Sequence, residues 1–467
     1  MKHIDFQAQR LGGEVGKSMT TSRGQLIKQI EKALGRKRLY WFGTRGGDAT
    51  SLADIPQFSG SFSIIDKYNW ALERSISWEE LAGYRVDLDN WEIDNYLKHP
   101  STQEFHTAML AAMSYDSALI AYRPCGFLSD LSFVRNHTCD YLGLFSGQQS
   151  AFEYKPWVET SLSKLGIDWL EWSYLTRDDI AVAESLLADG SVVMRPSRGS
   201  GGYGMIRVDS TDRLQEVWPT TSDGHISVSR YRYNCLPINV GAVVWKDGVT
   251  VHFPSVQLIG VPACTAWRFG YCGNDFGYMR HLPVEIIEKI EWSARVIGNW
   301  LCSQGFLGAF GIDYLFDGDK LLFTEINPRF QGSTRYSSQL SAERGEPCIL
   351  LDHIAAFLGL PCPERPILKN LISDIEDGGQ FVIHNTTRKP IVVDTEKIIH
   401  GLRGSLSSFR AVTVVDSFTK AESGATLMTI QAETPLTQDG YSLNNVLEDT
   451  IRYSVNTASK SSDVCED

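Results

Sequence analysis

Apolar residues in this chain recur at two spacings, and the switches between them lay out its elements. From Val284 to Cys302, the residues Ile286, Ile290, Ala294, Ile297 and Leu301 fall every three or four positions, which predicts an amphipathic helix laid on a sheet. A shorter helical stretch is expected near Gln25 to Leu34. Another starts at Pro156, since proline suits a first turn, and stops at Gly166. Continuous apolar runs mark buried strands. "RLYWFGTRGGDA" reads as a strand ending in a glycine-rich turn, as at the C-terminal edge of a parallel sheet. Helical and strand-like segments alternate from there to about residue 150, which predicts a first α/β domain. "SVVMRP" and "MIRV" are strands flanking a glycine cluster, and "INVGAVVWKDGVTVHFPSVQLIG" is a hairpin with Asp247-Gly248 as its turn signal.

The strands that follow the long helix carry the polar residues of interest. "AFGIDYLF" and "KLLFTEI" are joined by Asp317-Gly318-Asp319, and the second runs on through Glu325, Asn327 and Arg329 at two-residue spacing. In an extended chain these three side chains share a face. A three-residue loop would pair Gly311 with Glu325 and Asp313 with Phe323, leaving Asp313 and Glu325 diagonal on one face; a two-residue loop would put them on opposite faces. Two carboxylates, a carboxamide and a guanidinium converging there suit one divalent cation and an anion.

"GSGGYG", Gly199 to Gly204, matches a dinucleotide fingerprint letter for letter, but the strand-like "MIRV" follows it where that fold needs a helix. A Walker loop would need Gly-Lys-Ser/Thr after it. A kinase would need an H-R-D with a downstream Asn, so "DFG" at Asp275 to Gly277 reads as coincidence. What fits is a loop whose backbone amides approach phosphate oxygens, with the cation Arg195 just upstream and Lys155 before the preceding helix.

Composition narrows the function classes. The 467 residues are enough for about three domains at ~150 residues each. With 44 basic against 56 acidic residues and no dense basic block, nucleic acid is not expected as a partner. No stretch is apolar enough for a membrane span or a leader, and the expectation is a soluble cytoplasmic protein. Nine scattered cysteines without a CxxC read as reduced thiols. The expected boundaries are an N-terminal α/β domain over 1–145, a nucleotide-binding domain over 146–360, a C-terminal domain over 361–455 behind the connector "LPCPERP", and a frayed tail over 456–467.

In this order the motifs resemble the ATP-grasp superfamily of carboxylate-amine ligases and carboxylases, over roughly residues 140 to 335. The resemblance implies a mixed α/β and α+β chain whose ATP-grasp fold clasps ATP between two α+β subdomains. Lys155 matches the family's first ATP-binding lysine. Arg195, with Gly199, Ser200, Gly201 and Gly202, matches its lysine-headed glycine loop, with arginine in place of lysine. Ser229, Arg230 and Tyr231 fall at the adenine-hinge position, where "ISVSRYRY" lacks the usual acid. Asp313, Glu325 and Asn327 match the ligands of Mg²⁺ (or Mn²⁺), and Arg329 the residue facing the reacting group. The implied activity is an ADP-forming carbon–nitrogen ligase. It activates a small-molecule carboxylate as an acyl phosphate and joins it to an amino acid or peptide nucleophile. An ATP-dependent carboxylase and a non-catalytic ATP-binding regulator are the alternatives. The layout also resembles the peptide ligases of pheganomycin-type antibiotic biosynthesis, which implies a place in peptide natural-product biosynthesis; a homodimer is compatible with either. Arg268 on a loop, Gln331 and Arg335 beyond Arg329, and Arg388 in the C-terminal domain are candidate substrate contacts.

Overall fold

The computed structural model describes residues 20–65, 75–87, 92–113, 116–129, 139–199, 201–219, 221, 223–404, 406, 408–414 and 419–461. The first helix, Arg23–Leu34, starts on a capping box in which Ser22 and Gln25 exchange hydrogen bonds. The apolar run after it becomes β1 (Arg38–Arg45), the middle strand of a parallel sheet with β2 (Phe58–Ile65), β3 (Ile76–Ser77), β4 (Ser117–Ala121) and β5 (Cys139–Leu142), in the order β3-β2-β1-β4-β5. A strand flanked on both sides and covered on both faces must be apolar throughout, and Leu39 to Trp41 are wholly buried.

A four-stranded antiparallel sheet follows, built from β6 (Ser173–Leu175), β7 (Val192–Pro196), β8 (Ile206–Val208) and β9 (Ile226–Arg230), in the order β6-β9-β7-β8. The largest sheet has nine strands. Its path is β15 (Leu321–Asn327), β14 (Gly308–Phe316), β10 (Leu236–Val244), β12 (Ser255–Ile259), β13 (Tyr271–Asp275), β16 (Gly379–His384), β20 (Thr426–Ala432) and β18 (Phe409–Val414), with β11 (Val249–Val251) paired to β10 beyond the Asp247-Gly248 turn. The helix Val284–Ser303 lays Ile286, Ile290, Ala294, Ile297 and Leu301 on this sheet, as its periodicity predicts. The sheets and helices together make the mixed α/β architecture expected of the chain.

Three expectations need amending. The segment after residue 361 is joined to the middle of the chain through the sheet: β13 and β16 pair antiparallel at Gly273–Phe381. Gly273, at φ +141°, is required there, because a Cβ would lie 2.1 Å from the Gln380 carbonyl oxygen. The remaining late strands, β17 (Ile391–Val393), β19 (Lys420–Ala421) and β21 (Ser459–Ser461), make a small sheet of their own. β21 pairs with β17 and the helix Asn445–Ala458 precedes it, so residues 456–461 of the expected tail are ordered; 462–467 lie outside the described residues.

The third amendment concerns register. Phe316 pairs with Leu321, so the β14–β15 loop is the four residues Asp317 to Lys320, closed by Asp317 Oδ1 accepting from the Asp319 and Lys320 amides. An even loop alone would send Glu325 to the face opposite Asp313. A bulge at Thr324 adds one residue between the Tyr314–Phe323 and Asp313–Glu325 pairs, and so brings the two carboxylates directly opposite each other. The shared face was expected correctly, but the pairing and the device that produces it were not.

Candidate active site

One cavity of about 1010 Å³ lies where the three larger sheets meet. Its nucleotide-sized half is walled by Leu170, Trp172, Val193, Met205, Tyr231, Phe269 and Leu315, an apolar set flanked by cations. The two lobes are stitched together beside it: Leu170 N–H donates to the Phe323 carbonyl at 2.8 Å, and Phe323 N–H donates to the Asp168 carbonyl at 2.8 Å.

Asp313, Glu325, Asn327 and Arg329 all line this cavity. Lys155 Nζ sits 2.9 Å from Glu325 Oε2, and Arg195 Nη1 lies 3.0 Å from the same oxygen. Lys155 also donates to the carbonyl of Gly199, 3.2 Å away, which ties it to the glycine loop. Asn327 Nδ2 donates to Asp313 Oδ2 at 2.8 Å, while Arg329 Nη2 donates to Asn327 Oδ1 at 3.1 Å. The two carboxylates differ in their surroundings. Burial pushes Asp313 up and the Glu325 charge adds to it, with hydrogen bonding from Asn327 opposing. Burial would also raise Glu325, but Lys155 and Arg195 hold it well below the usual carboxylate range.

The glycine loop closes over the cavity. Gly201 and Gly202 line it, and Gly202, at φ +79°, leaves no room for a Cβ, which would fall 1.9 Å from the Phe269 carbonyl oxygen. Ser200 lies outside the described residues. Of the hinge candidates, Arg230 and Tyr231 line the cavity, with Arg230 paired to Asp189 at its rim. Ser229 is buried within β9 opposite Val193 and is not part of the wall.

The candidate substrate contacts separate in the same way. Arg268 is exposed on the loop before β13 and lines the cavity. Gln331 lines it too, yet its amide is committed: Nε2 donates to Asp313 Oδ1 at 3.3 Å and Oε1 accepts from Asn239 at 2.9 Å. Arg335 points elsewhere. It packs over Gly47 and donates to the Val412 carbonyl at 3.2 Å, beside a small adjoining cavity. Arg388 is exposed on the β16–β17 connection, outside the cavity wall.

Several participants went unread in the sequence. Glu159, almost wholly buried, takes Arg195 Nη2 on Oε1, and Tyr174 donates to its Oε2 at 2.9 Å. It stands four residues after Lys155 on the helix Lys155–Leu162, so helical spacing could have found it. Trp172 stacks under the Arg195 guanidinium, 3.7 Å from its ring centroid, and no local pattern announces that. Gln257 Nε2 donates to Asp313 Oδ1 at 3.3 Å. The other half of the cavity, formed by Arg45, Tyr122, Arg123, Glu153 and their neighbours, comes from loops of the N-terminal sheet. Arg123 is held there by Glu92 at 2.9 Å and by Glu153 at 3.0 Å.

The donor set fits Mg²⁺. No group of three His, Cys, Asp or Glu able to cage a metal occurs among the described residues. Mg²⁺ does not ask for one, because it keeps waters and takes one or two carboxylates together with phosphate oxygens. Asp313 and Glu325, cross-strand neighbours beside the Asn327 amide, supply that set.

Known proteins place the chain. A family model described as an ATP-grasp domain matches residues 173–333. A formate-dependent phosphoribosylglycinamide formyltransferase of Synechococcus sp. (strain WH7803) is 23% identical over 215 residues, 44% of this chain and 50% of the relative. The enzyme of the same name from Mannheimia succiniciproducens is 22% identical over 62% of this chain and 73% of its own length. The chain spans about half the length of the first curated relatives it matches. Among solved structures, N5-carboxyaminoimidazole synthase from Aspergillus clavatus, in complex with ADP and 5-aminoimidazole ribonucleotide, superposes with a TM-score of 0.58 at 14% identity. The match covers 90% of this chain and 99% of that one. The biotin carboxylase domain of Hydrogenobacter thermophilus 2-oxoglutarate carboxylase, with MgADP and bicarbonate, gives 0.57 at 13% identity over 91% and 90%. Coverage that broad extends into the segment after residue 361, which is therefore shared with the fold of these enzymes. Residues 173–333 form an ATP-grasp domain, and through it the chain belongs to the ATP-grasp superfamily.

Proposed function

We propose that the protein is an ADP-forming ATP-grasp ligase that activates a carboxylate as an acyl phosphate and transfers the acyl group to an amine. The observation that carries this reading is the meeting of two charge sets in one cavity: Asp313, Glu325 and Asn327 on β14–β15, and Lys155 and Arg195 across from them. Bound Mg²⁺ would neutralise charge on the triphosphate and polarise its terminal phosphorus. The chain's own residues do the rest. The apolar wall from Leu170 to Leu315 receives the base, the glycine-loop amides and Lys155 steady the phosphates, and Arg329 faces the oxygen that carries charge as the acyl group transfers. In balance, a carboxylate oxygen bonds to the γ-phosphorus as its bond to ADP breaks. A neutral amine then attacks the acyl carbon, phosphate leaves with the shared oxygen, and the amine proton passes to it.

The finer reading is that the acceptor is the amine of an amino acid or peptide, as in peptide natural-product assembly. The cavity extends well beyond a nucleotide into the N-terminal half, lined by Phe42, Tyr122 and Tyr271 as well as by charged groups. A second reading, carboxylation with bicarbonate as the acid, is favoured by the fold shared with the carboxyaminoimidazole synthase and the biotin carboxylase domain. Product mass spectrometry after incubation with ATP, Mg²⁺ and a library of amino acids, peptides and bicarbonate separates them. An amide mass with ADP supports ligation, a bicarbonate-dependent mass supports carboxylation, and no acid-dependent ADP release in any arm removes both.

A further inference from the structure

The nucleotide-free site is already neutralised from within. Glu325 Oε2 receives both cations that a triphosphate needs, Lys155 at 2.9 Å and Arg195 at 3.0 Å. The same carboxylate is one of the two that metal requires. A nucleotide arriving without metal meets cations already occupied, and a metal arriving without nucleotide must pull Glu325 away from two positive charges. The two cations are unequal. Arg195 is also bound to Glu159 and stacked on Trp172, so it keeps a buried partner when Glu325 leaves. Lys155 keeps only the Gly199 carbonyl, on the glycine loop itself.

We infer that Glu325 serves as a stand-in anion for the nucleotide phosphates, so that metal and nucleotide bind as a coupled pair, with Lys155 as the cation that changes partner and Arg195 as the fixed one. The inference rests on the ATP reading above. Partner exchange makes the coupling reciprocal: whatever metal adds to nucleotide affinity, nucleotide adds to metal affinity. It also separates Glu325 from a residue that merely ligates metal, since losing a plain ligand would leave metal-free nucleotide binding untouched. General repulsion between Glu325 and phosphate is the competing account, and the exchange differs from it in requiring Lys155.

The test is isothermal titration of the full chain with ADP, in EDTA and in excess Mg²⁺. The wild type should bind ADP weakly in EDTA and much more tightly with Mg²⁺. Glu325→Gln should bind metal-free ADP about tenfold more tightly than the wild type, while most of its Mg²⁺ enhancement disappears. In a Lys155→Met background the same substitution should bring no gain in EDTA, which isolates the pairwise coupling. Glu325→Asp keeps the charge but draws the oxygen back from both cations, so metal-free binding should rise here too, where repulsion predicts no change. The inference is overturned if Glu325→Gln fails to tighten metal-free ADP binding, or if the gain is the same with Met at position 155. A wild-type chain that binds ADP in neither buffer would instead remove the ATP reading itself.

Discussion

The two halves of the cavity are built on different principles. In the nucleotide half the chemistry sits on regular elements: Asp313, Glu325 and Asn327 on paired strands, Lys155 and Glu159 one helical turn apart, and Arg195 on β7. Each side chain there is held by another, from Tyr174 through Glu159, Arg195 and Glu325 to Lys155. In the N-terminal half the lining comes from loops at strand ends. Arg45 leans on Asp48, and Arg123 is shared between Glu92 and Glu153. Sites on rigid elements are positioned more accurately, while loops can change without disturbing a sheet. The difference points to a constant reaction at one end and a substrate choice at the other.

That contrast can be broken, and the largest effect should come from its best-buried cation. Arg195→Ala leaves Glu159 buried without its partner and should destabilise the fold by about 3–5 kcal/mol, with most activity lost; Arg195→Lys should retain part of both. Denaturant titration with a parallel ADP-release assay measures this.

A second test concerns the joint between the two halves. His353 Nδ1 accepts from the Ala309 N–H at the start of β14, and Nε2 donates to the Leu142 carbonyl at the end of β5, so one neutral ring ties the two sheets. Burial lowers its pKa to about 4, from an ordinary value near 6.5. Between those values the unfolded chain binds the proton and the folded one does not. Stability contributed by the neutral ring is thus complete above about pH 6.5 and is lost as pH falls, by about 3 kcal/mol on reaching pH 4. His353→Gln should flatten this part of the stability–pH curve.

Asn327→Ala removes one amide from the metal face and should lower turnover about 100-fold with the fold intact, which circular dichroism and steady-state rates check together. Arg123→Ala should then sharpen the division of labour. It should raise the KM of the acid or amine about tenfold and leave that of ATP unchanged. Arg388→Ala, on an exposed turn outside the cavity, should change stability by less than about 0.5 kcal/mol and leave every KM as it was.

The same contrast explains what could be read in advance. Glu325, Asn327 and Arg329 were legible because two-residue spacing fixes a shared face whatever the tertiary structure. The pairing of Asp313 with Glu325 was not, because it depends on a bulge at Thr324 that compensates a four-residue loop, and nothing local distinguishes that from an odd loop without a bulge. Arg195 and Lys155 stood out as cations beside a glycine loop, but their common acceptor on Glu325 is a contact across more than a hundred residues. Trp172, Tyr122 and Arg123 lie outside any motif and become neighbours only when three sheets converge. The strands after residue 361 showed their period but not their partner. A β13–β16 pairing depends on the shape of the sheet already built, and Gly273 marks the junction only once its neighbour is known.

The central claim is that a carboxylate takes the γ-phosphoryl group before the amine attacks. It is tested most directly by supplying an acid labelled with ¹⁸O in its carboxylate, together with ATP, Mg²⁺ and the amine, and recovering the phosphate for mass analysis. Acyl phosphate formation requires one labelled oxygen to appear in the released phosphate, with ADP as the nucleotide product. Amide formation with unlabelled phosphate, or with AMP and pyrophosphate, would contradict it.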